Sequence, residues 1–189
     1  MKEQPRSLFF TAEITVDMRR TALEVLRCPE CSGCLTLRVF DEINEVEEGL
    51  LTCDLCDRGF PIINAIPRLL PDVHIHVVVR YHEDFFRRWK IDPDLIISRS
   101  SKAPRTGLLK AESRTVRSYS YQWRKFKEMY PHWERVFLDS IRPISPSFFP
   151  GKRGLDAGCG FGRSLQYSAS YGAEMIGLDL SAVSYTHLT

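Results

Sequence analysis

Apolar positions along the chain change period several times, and each change predicts an element. Residues 1–17 show no clear period. Met18–Arg27 reads as a short helix with Leu23 and Leu26 on one side. Strand-like runs follow at Leu35–Phe40, Leu50–Cys53, Phe60–Ile62 and Ile66–Leu70. Between the first two, the acidic stretch Asp41–Glu48 fits a solvated hairpin connection. Pro61, Pro67 and Pro71 punctuate the exit, and Val77–Val79 is a short strand-like patch. Helical spacing then returns in Tyr81–Lys90, with Phe85, Phe86 and Trp89 apolar, in Tyr119–Met129, and in His132–Ile141, with Trp133, Val136 and Phe137. Pro143, Pro146 and Pro150 end that series. Residues 152–157 predict a strand, Arg163–Tyr171 a helix closed by Gly172, and Glu174–Asp179 a second strand.

Composition changes this picture little. A length of 189 residues is generous for one domain and tight for two. The apolar share of 43% and charged share of 26% suit a globular chain. A net charge of +2 says nothing about partners by itself. No apolar run approaches the roughly 18–20 residues of a membrane span, and the start MKEQPRSLFFTAEITVD lacks the apolar core of a secretory signal. A cytoplasmic location with no membrane association is expected. Residues 77–127 carry thirteen Lys and Arg against five Asp and Glu. They could guide RNA, but spread over some fifty residues they read more readily as solvated helix faces and linker.

The cysteines are more informative. Five of the six fall within residues 28–56, and the sixth, Cys159, lies in a glycine-rich loop. Cys28-Pro-Glu-Cys31 and Cys53-Asp-Leu-Cys56 are two C-x-x-C knuckles, each able to aim two thiolates at one point. Together, Cys28, Cys31, Cys53 and Cys56 predict a closed tetrahedral zinc site with a structural role, because a unit this small has little core. A redox C-x-x-C would need no second pair. Cys34 is a possible substitute for Cys31, but reads more simply as a small buried residue opening a strand. His74 and His76, in H-x-H spacing, read as one face of a strand.

The runs LRCPECSGCL and LTCDLCDRGFPIINAIPRLLP resemble the zinc-ribbon domain of the tRNA-methyltransferase activator family, which also occurs fused ahead of methyltransferases. Its usual form is close to LxCPxCxGxL, then CxxCxxxYPIxDGIPxLL. Here Cys34 stands at a variable position and Asn64-Ala65 replaces Asp-Gly, leaving the four ligands untouched. The resemblance implies a protein partner for the ribbon. Because the short form often begins near the first helix, Met18 is the expected native start.

The second signal is Gly154-Leu-Asp-Ala-Gly-Cys-Gly-Phe-Gly-Arg163. A phosphate-binding loop of the G-x-x-x-x-G-K-[ST] kind is excluded, since no Lys-Ser or Lys-Thr follows. The dinucleotide fingerprint fails because its third glycine would fall on Arg163. Asp156 followed by Gly158, Gly160 and Gly162 suits a cationic nucleoside instead. Glycines let backbone pass close to a ligand, and a carboxylate at a strand end favours positive charge. Asp179, ending the next strand, is placed to hold a ribose diol.

The run KRGLDAGCGFGRSLQYSASYGAEMIGLDLSAV resembles the first βαβ unit of the class I S-adenosylmethionine-dependent methyltransferases. SYSYQWRKF, HWERVFLDSI and FFPGK are similar to the lead-in of one branch, often written with a GYEW-x-x-F core. The resemblance implies that Asp156, Gly158, Gly160 and Gly162 line the methionine side of S-adenosylmethionine and that Asp179 takes the ribose. Cys159 faces the cofactor through its backbone, its thiol being a filler. Tyr119, Tyr121, Trp123 and Phe126 either cover that pocket or pack as an amphipathic helix.

The fold class expected is therefore α/β: a Rossmann-like methyltransferase domain represented by its first βαβ unit, behind a small zinc ribbon and a helical region. The boundaries are 18–71 for the ribbon, 72–150 for the basic linker and lead-in helices, and 151–182 for the cofactor-binding start. Residues 183–189, VSYTHLT, resemble a translated sequencing adapter and are expected to be non-native. The leading functional expectation is the N-terminal part of a methyltransferase acting on RNA, protein or a small molecule, with no catalytic base identifiable and the chain inactive alone. The alternative is a non-catalytic zinc-ribbon module that docks a partner methyltransferase or RNA.

Overall fold

A computed structural model describes residues 18–70, 72–96, 121, 129, 130 and 132–180. The predicted helix Tyr119–Met129, except for Tyr121 and Met129, lies outside the described residues, as do residues 1–17 and the tail from 181 onward. The chain divides into two compact units, with residues 18–96 in one and 121–180 in the other.

In the first unit, β1 (Leu35–Glu42), β2 (Val46–Cys53), β3 (Gly59–Ile63) and β4 (Ile66–Pro67) form an antiparallel sheet in that order. Leu35 pairs with Cys53, Leu37 with Leu51, Leu51 with Phe60, and Ile62 with Pro67. The segment 41–48 is the expected hairpin connection, with 41–44 exposed, but its second half belongs to β2 and is partly buried. Both strands run into it, Val46 is fully buried, the turn takes residues 43–45, and the pairing is irregular just before it, between Val39 and Glu42. The predicted first helix is a shorter 3-10 turn, Arg20–Glu24, and Met18 bridges to Val46.

Alternation along the strands divides two cores. Leu35, Leu51, Cys53, Phe60 and Ile62 face Met18, Cys28 and Val46, with Leu23 and Leu26 packed alongside. On the opposite face, Ile63 and Phe40 meet Ile75, Val78, Phe85, Phe86, Ile91 and Ile96. β3 is consequently buried along its whole length. The second face is closed by two helices, α1 (Asp72–Tyr81) and α2 (Glu83–Trp89). The strand reading of His74, His76 and Val77–Val79 is thus corrected: these residues lie within α1. Ile75 and Val78, three apart, supply the buried contacts, so tertiary packing overrides the β-branched preference of the run.

In the second unit, β5 (Arg153–Ala157) and β6 (Glu174–Leu178) pair in parallel, with Leu155 opposite Ile176. The intervening helix α4 (Arg163–Ser170) sends Leu165 towards Gly177, where an added Cβ would stand 2.7 Å from it. Upstream, α3 (Trp133–Ser140) buries Phe137 among Phe149, Tyr167 and Tyr171, while the Tyr171 hydroxyl donates to Glu134. Burial and the adjacent Glu134 push the Tyr171 phenol up to about 12. Leu155 and Leu178 remain exposed.

Candidate functional site

The first knuckle follows the 3-10 turn, and the second lies at the end of β2. Ser32 N–H donates to Cys28 carbonyl and Cys28 N–H to Gly33 carbonyl, closing the first loop tightly. Asp57 N–H donates to Cys53 carbonyl and closes the second. The Asp54 N–H to Cys34 carbonyl bond joins the two. Arg58 adds an ionic tie, its guanidinium 2.9 Å from Glu30 between the first pair of cysteines.

These turns bring all four predicted ligands together. Cys28 and Cys53 are buried, Cys31 and Cys56 exposed, and their sulfurs lie within 4.8 Å of one another. Cys28 Sγ stands 3.7 Å from Cys56 Sγ, and Cys31 Sγ 3.4 Å from Cys53 Sγ. Tetrahedral zinc with bonds near 2.3 Å places its sulfurs about 3.8 Å apart. The cluster has that size.

Electrostatics points the same way. Burial opposes ionisation of Cys53, yet N–H groups of Leu55 and Cys56, with neighbouring thiols, bring it down to about 7. For Cys31, the Gly33 N–H favours the thiolate, but the bond to Cys53, burial and the other thiols push it up to about 12. Shared hydrogen bonds among Cys31, Cys53 and Cys56 set their ionisations against one another. A divalent cation removes that obstacle, so the donor set fits structural zinc held by Cys28, Cys31, Cys53 and Cys56.

Residues 19–64 match the family described as Trm112p-like protein. This segment is a Trm112p-like zinc-ribbon domain. A comparison with curated proteins gives no match for the chain. The matched segment contains β1, β2, β3 and the four-cysteine cluster and stops just short of β4.

Cys34, expected to be buried, is exposed, because strand alternation turns it away from Leu35 and the core. Two contributors escaped sequence reasoning. Gly33 permits close approach, since a Cβ there would lie 2.8 Å from Cys53 Sγ. Arg58 stands two residues after the second knuckle, and only the fold shows that it reaches Glu30.

The glycine loop lies in the other unit, at the carboxyl ends of β5 and β6. Gly158, Gly160 and Gly162 all take positive φ, of 84°, 56° and 85°. Leu178 carbonyl accepts from the N–H groups of Gly158 and Cys159, while Asp179 Oδ2 accepts from Gly160 N–H at 2.9 Å. Burial and the charge of Asp179 both raise Asp156 above the usual carboxylate range. Cys159 is buried, and its sulfur lies 2.9 Å from where a Gly177 Cβ would be. The structure therefore gathers Asp156, Cys159 and Asp179 around the loop. Among the described residues, Asp179 engages the loop backbone. Of the four aromatics named for a pocket cover, Tyr121 is exposed and the other three lie outside the described residues.

Proposed function

We propose that the Trm112p-like domain is a docking module that binds and activates a partner methyltransferase. The observation that carries this reading is the coincidence of the family match with a closed four-cysteine cluster. Four thiolates leave zinc no open position for a substrate, so the metal shapes a surface and performs no chemistry. On this reading the module extends through residue 96, because α1 and α2 close one face of its sheet. The test is co-purification of the full chain with class I methyltransferases expressed beside it, followed by methylation assays with and without the chain. Failure of every pairing, with zinc bound, would reject the module.

A second reading has its own support. Asp156 and Asp179 present two carboxylates beside three left-handed glycines, an arrangement suited to S-adenosylmethionine, which is cationic and carries a ribose. On this reading residues 151–182 begin a methyl-donor-binding domain, with Asp156, Gly158, Cys159, Gly160 and Gly162 beside the methionine portion and Asp179 at the ribose. The donor would then be held on the same chain as the ribbon, with the methyl acceptor an RNA, a protein or a small molecule. Calorimetry with S-adenosylmethionine tests it; binding equal in the unchanged chain and Asp179→Ala would refute it.

A further inference from the structure

The two knuckles are tied to each other away from their sulfurs. Glu30 stands inside the first, between Cys28 and Cys31, and Arg58 stands two residues after Cys56. Their side chains meet at 2.9 Å, and the pair is unequal, with Arg58 6% exposed and Glu30 42%. The Arg58 carbonyl accepts from Cys53 N–H at 2.9 Å. Its guanidinium carbon lies 5.4 Å from the ring centroid of Phe60, which is fully buried in β3. Arg58 is thus an arm fixed to the sheet, and it reaches a knuckle that ends before the first strand begins.

The arm serves the half of the cluster that solvent can reach. Cys28 and Cys53 are buried, whereas Cys31 and Cys56 are exposed. Glu30 directly precedes Cys31. The Arg58 N–H favours the Cys56 thiolate, against the burial and the Cys53 contact that push this thiol up. A competing chelator meets Cys31 and Cys56 first, so zinc loss begins with one of these sulfurs moving off the metal. Either movement carries one end of the ion pair with it.

We infer that Arg58 and Glu30 form a latch that gates zinc loss at the exposed ligands Cys31 and Cys56. Arg58 supplies no ligand atom and acts through the knuckles, so it is a positioning residue. The latch rests on zinc as the occupant of the four-cysteine cluster and is independent of the docking reading. Before the metal arrives, the same pair holds the knuckles at the spacing that loading requires.

The test follows zinc leaving the full zinc-loaded chain for an excess of a chromogenic chelator. Outer-shell partners of metal ligands are worth roughly 10–100-fold in metal affinity, and an exposed ion pair about fivefold at most. With one partner buried, Glu30→Gln should speed zinc loss about tenfold. Arg58→Met, which keeps an unbranched chain against Phe60 without the charge, should match it, and the double variant should be no faster than either single one. Glu30→Asp, which restores the charge, should recover most of the difference. Arg20→Gln breaks another ion pair of the same unit, with Glu42, and should leave the rate unchanged. The visible bands of cobalt(II) bound in place of zinc report that the four-sulfur site still forms in each variant. Should Arg58→Met fail to fold, Glu30→Gln, at an exposed position, decides alone. Zinc bound and lost at the unchanged rate in Glu30→Gln, or equal acceleration by Arg20→Gln, overturns the latch. A chain that holds no zinc overturns the metal assignment together with it.

Discussion

Trp89 on α2 donates its indole N–H to Glu48 on β2, and the same ring stacks on Phe40 of β1 at 5.0 Å. Arg88 adds two bonds of 3.1 Å to that carboxylate. Glu48 is therefore the polar pin of an otherwise apolar contact between helices and sheet.

Replacing Glu48 by Ala leaves the Trp89 donor without its acceptor in a half-buried place. A loss of about 1–3 kcal/mol is expected, read as a lower urea midpoint of the first unit. Trp89→Phe, which keeps the stack and drops the N–H, should cost less than Trp89→Ala. Equal losses would show that the hydrogen bond, and not the ring, dominates.

Removing the metal should be more severe. Elemental analysis should find one zinc per chain, and Cys28→Ser or Cys53→Ser should abolish it. Structural zinc carries apparent binding energy on the order of 10 kcal/mol, comparable with the whole stability of a small domain. Chelation should therefore erase the strand signal of the first unit in circular dichroism.

The four-cysteine cluster was legible because spacing alone sets what a knuckle can reach. C-x-x-C twice, 21 residues apart, needs no knowledge of the fold. The βαβ order around the glycine loop was legible for a similar local reason. The helix α1 was not, since Val77–Val79 favours a strand locally and the buried face through Ile75 and Val78 exists only against the sheet. Asp72 just after Pro71 was the available start signal. The role of Glu48 was equally hidden, because its partners stand 40 and 41 residues away. The acidic composition of 41–48 located the exposed turn, but not the pairing that draws Glu48 against an arginine and a tryptophan.

A pH dependence follows from His82, at the junction of α1 and α2. Burial, reinforced by the charge of Arg68, lowers its pKa from 6.5. The fold favours neutral imidazole, and the unfolded chain takes up the proton first. This contribution to stability is complete above the unfolded value and is lost as pH falls from there through the folded one. Urea midpoints of the unchanged chain and His82→Gln, compared from pH 8 to about 5.5, should differ by an amount that changes with pH. A constant difference would contradict the assignment.

The turn between β3 and β4 offers a stabilising substitution. Asn64 and Ala65 both hold left-handed backbone, at φ of 51° and 58°. Such paired positions suit the tightest hairpins, and the second is the usual place for glycine. Ala65→Gly should relieve roughly 1 kcal/mol of steric cost. Loss of a methyl that is only 6% exposed offsets part of this. A thermal midpoint raised by a few degrees is expected, with zinc content unchanged.

Cys53 belongs to two structures at once: it is the last residue of β2, paired with Leu35, and it is a member of the sulfur cluster. A slip of one residue between β1 and β2 would turn every side chain to the other face and swing Cys53 away from Cys31. At the far end of the same ladder, near Asp41, the pairing is already irregular and fixes the register less firmly. Zinc bound by this cluster would act as a proofreader of strand alignment. A misregistered hairpin would fail to close the site, and only the correctly threaded sheet would be locked by zinc.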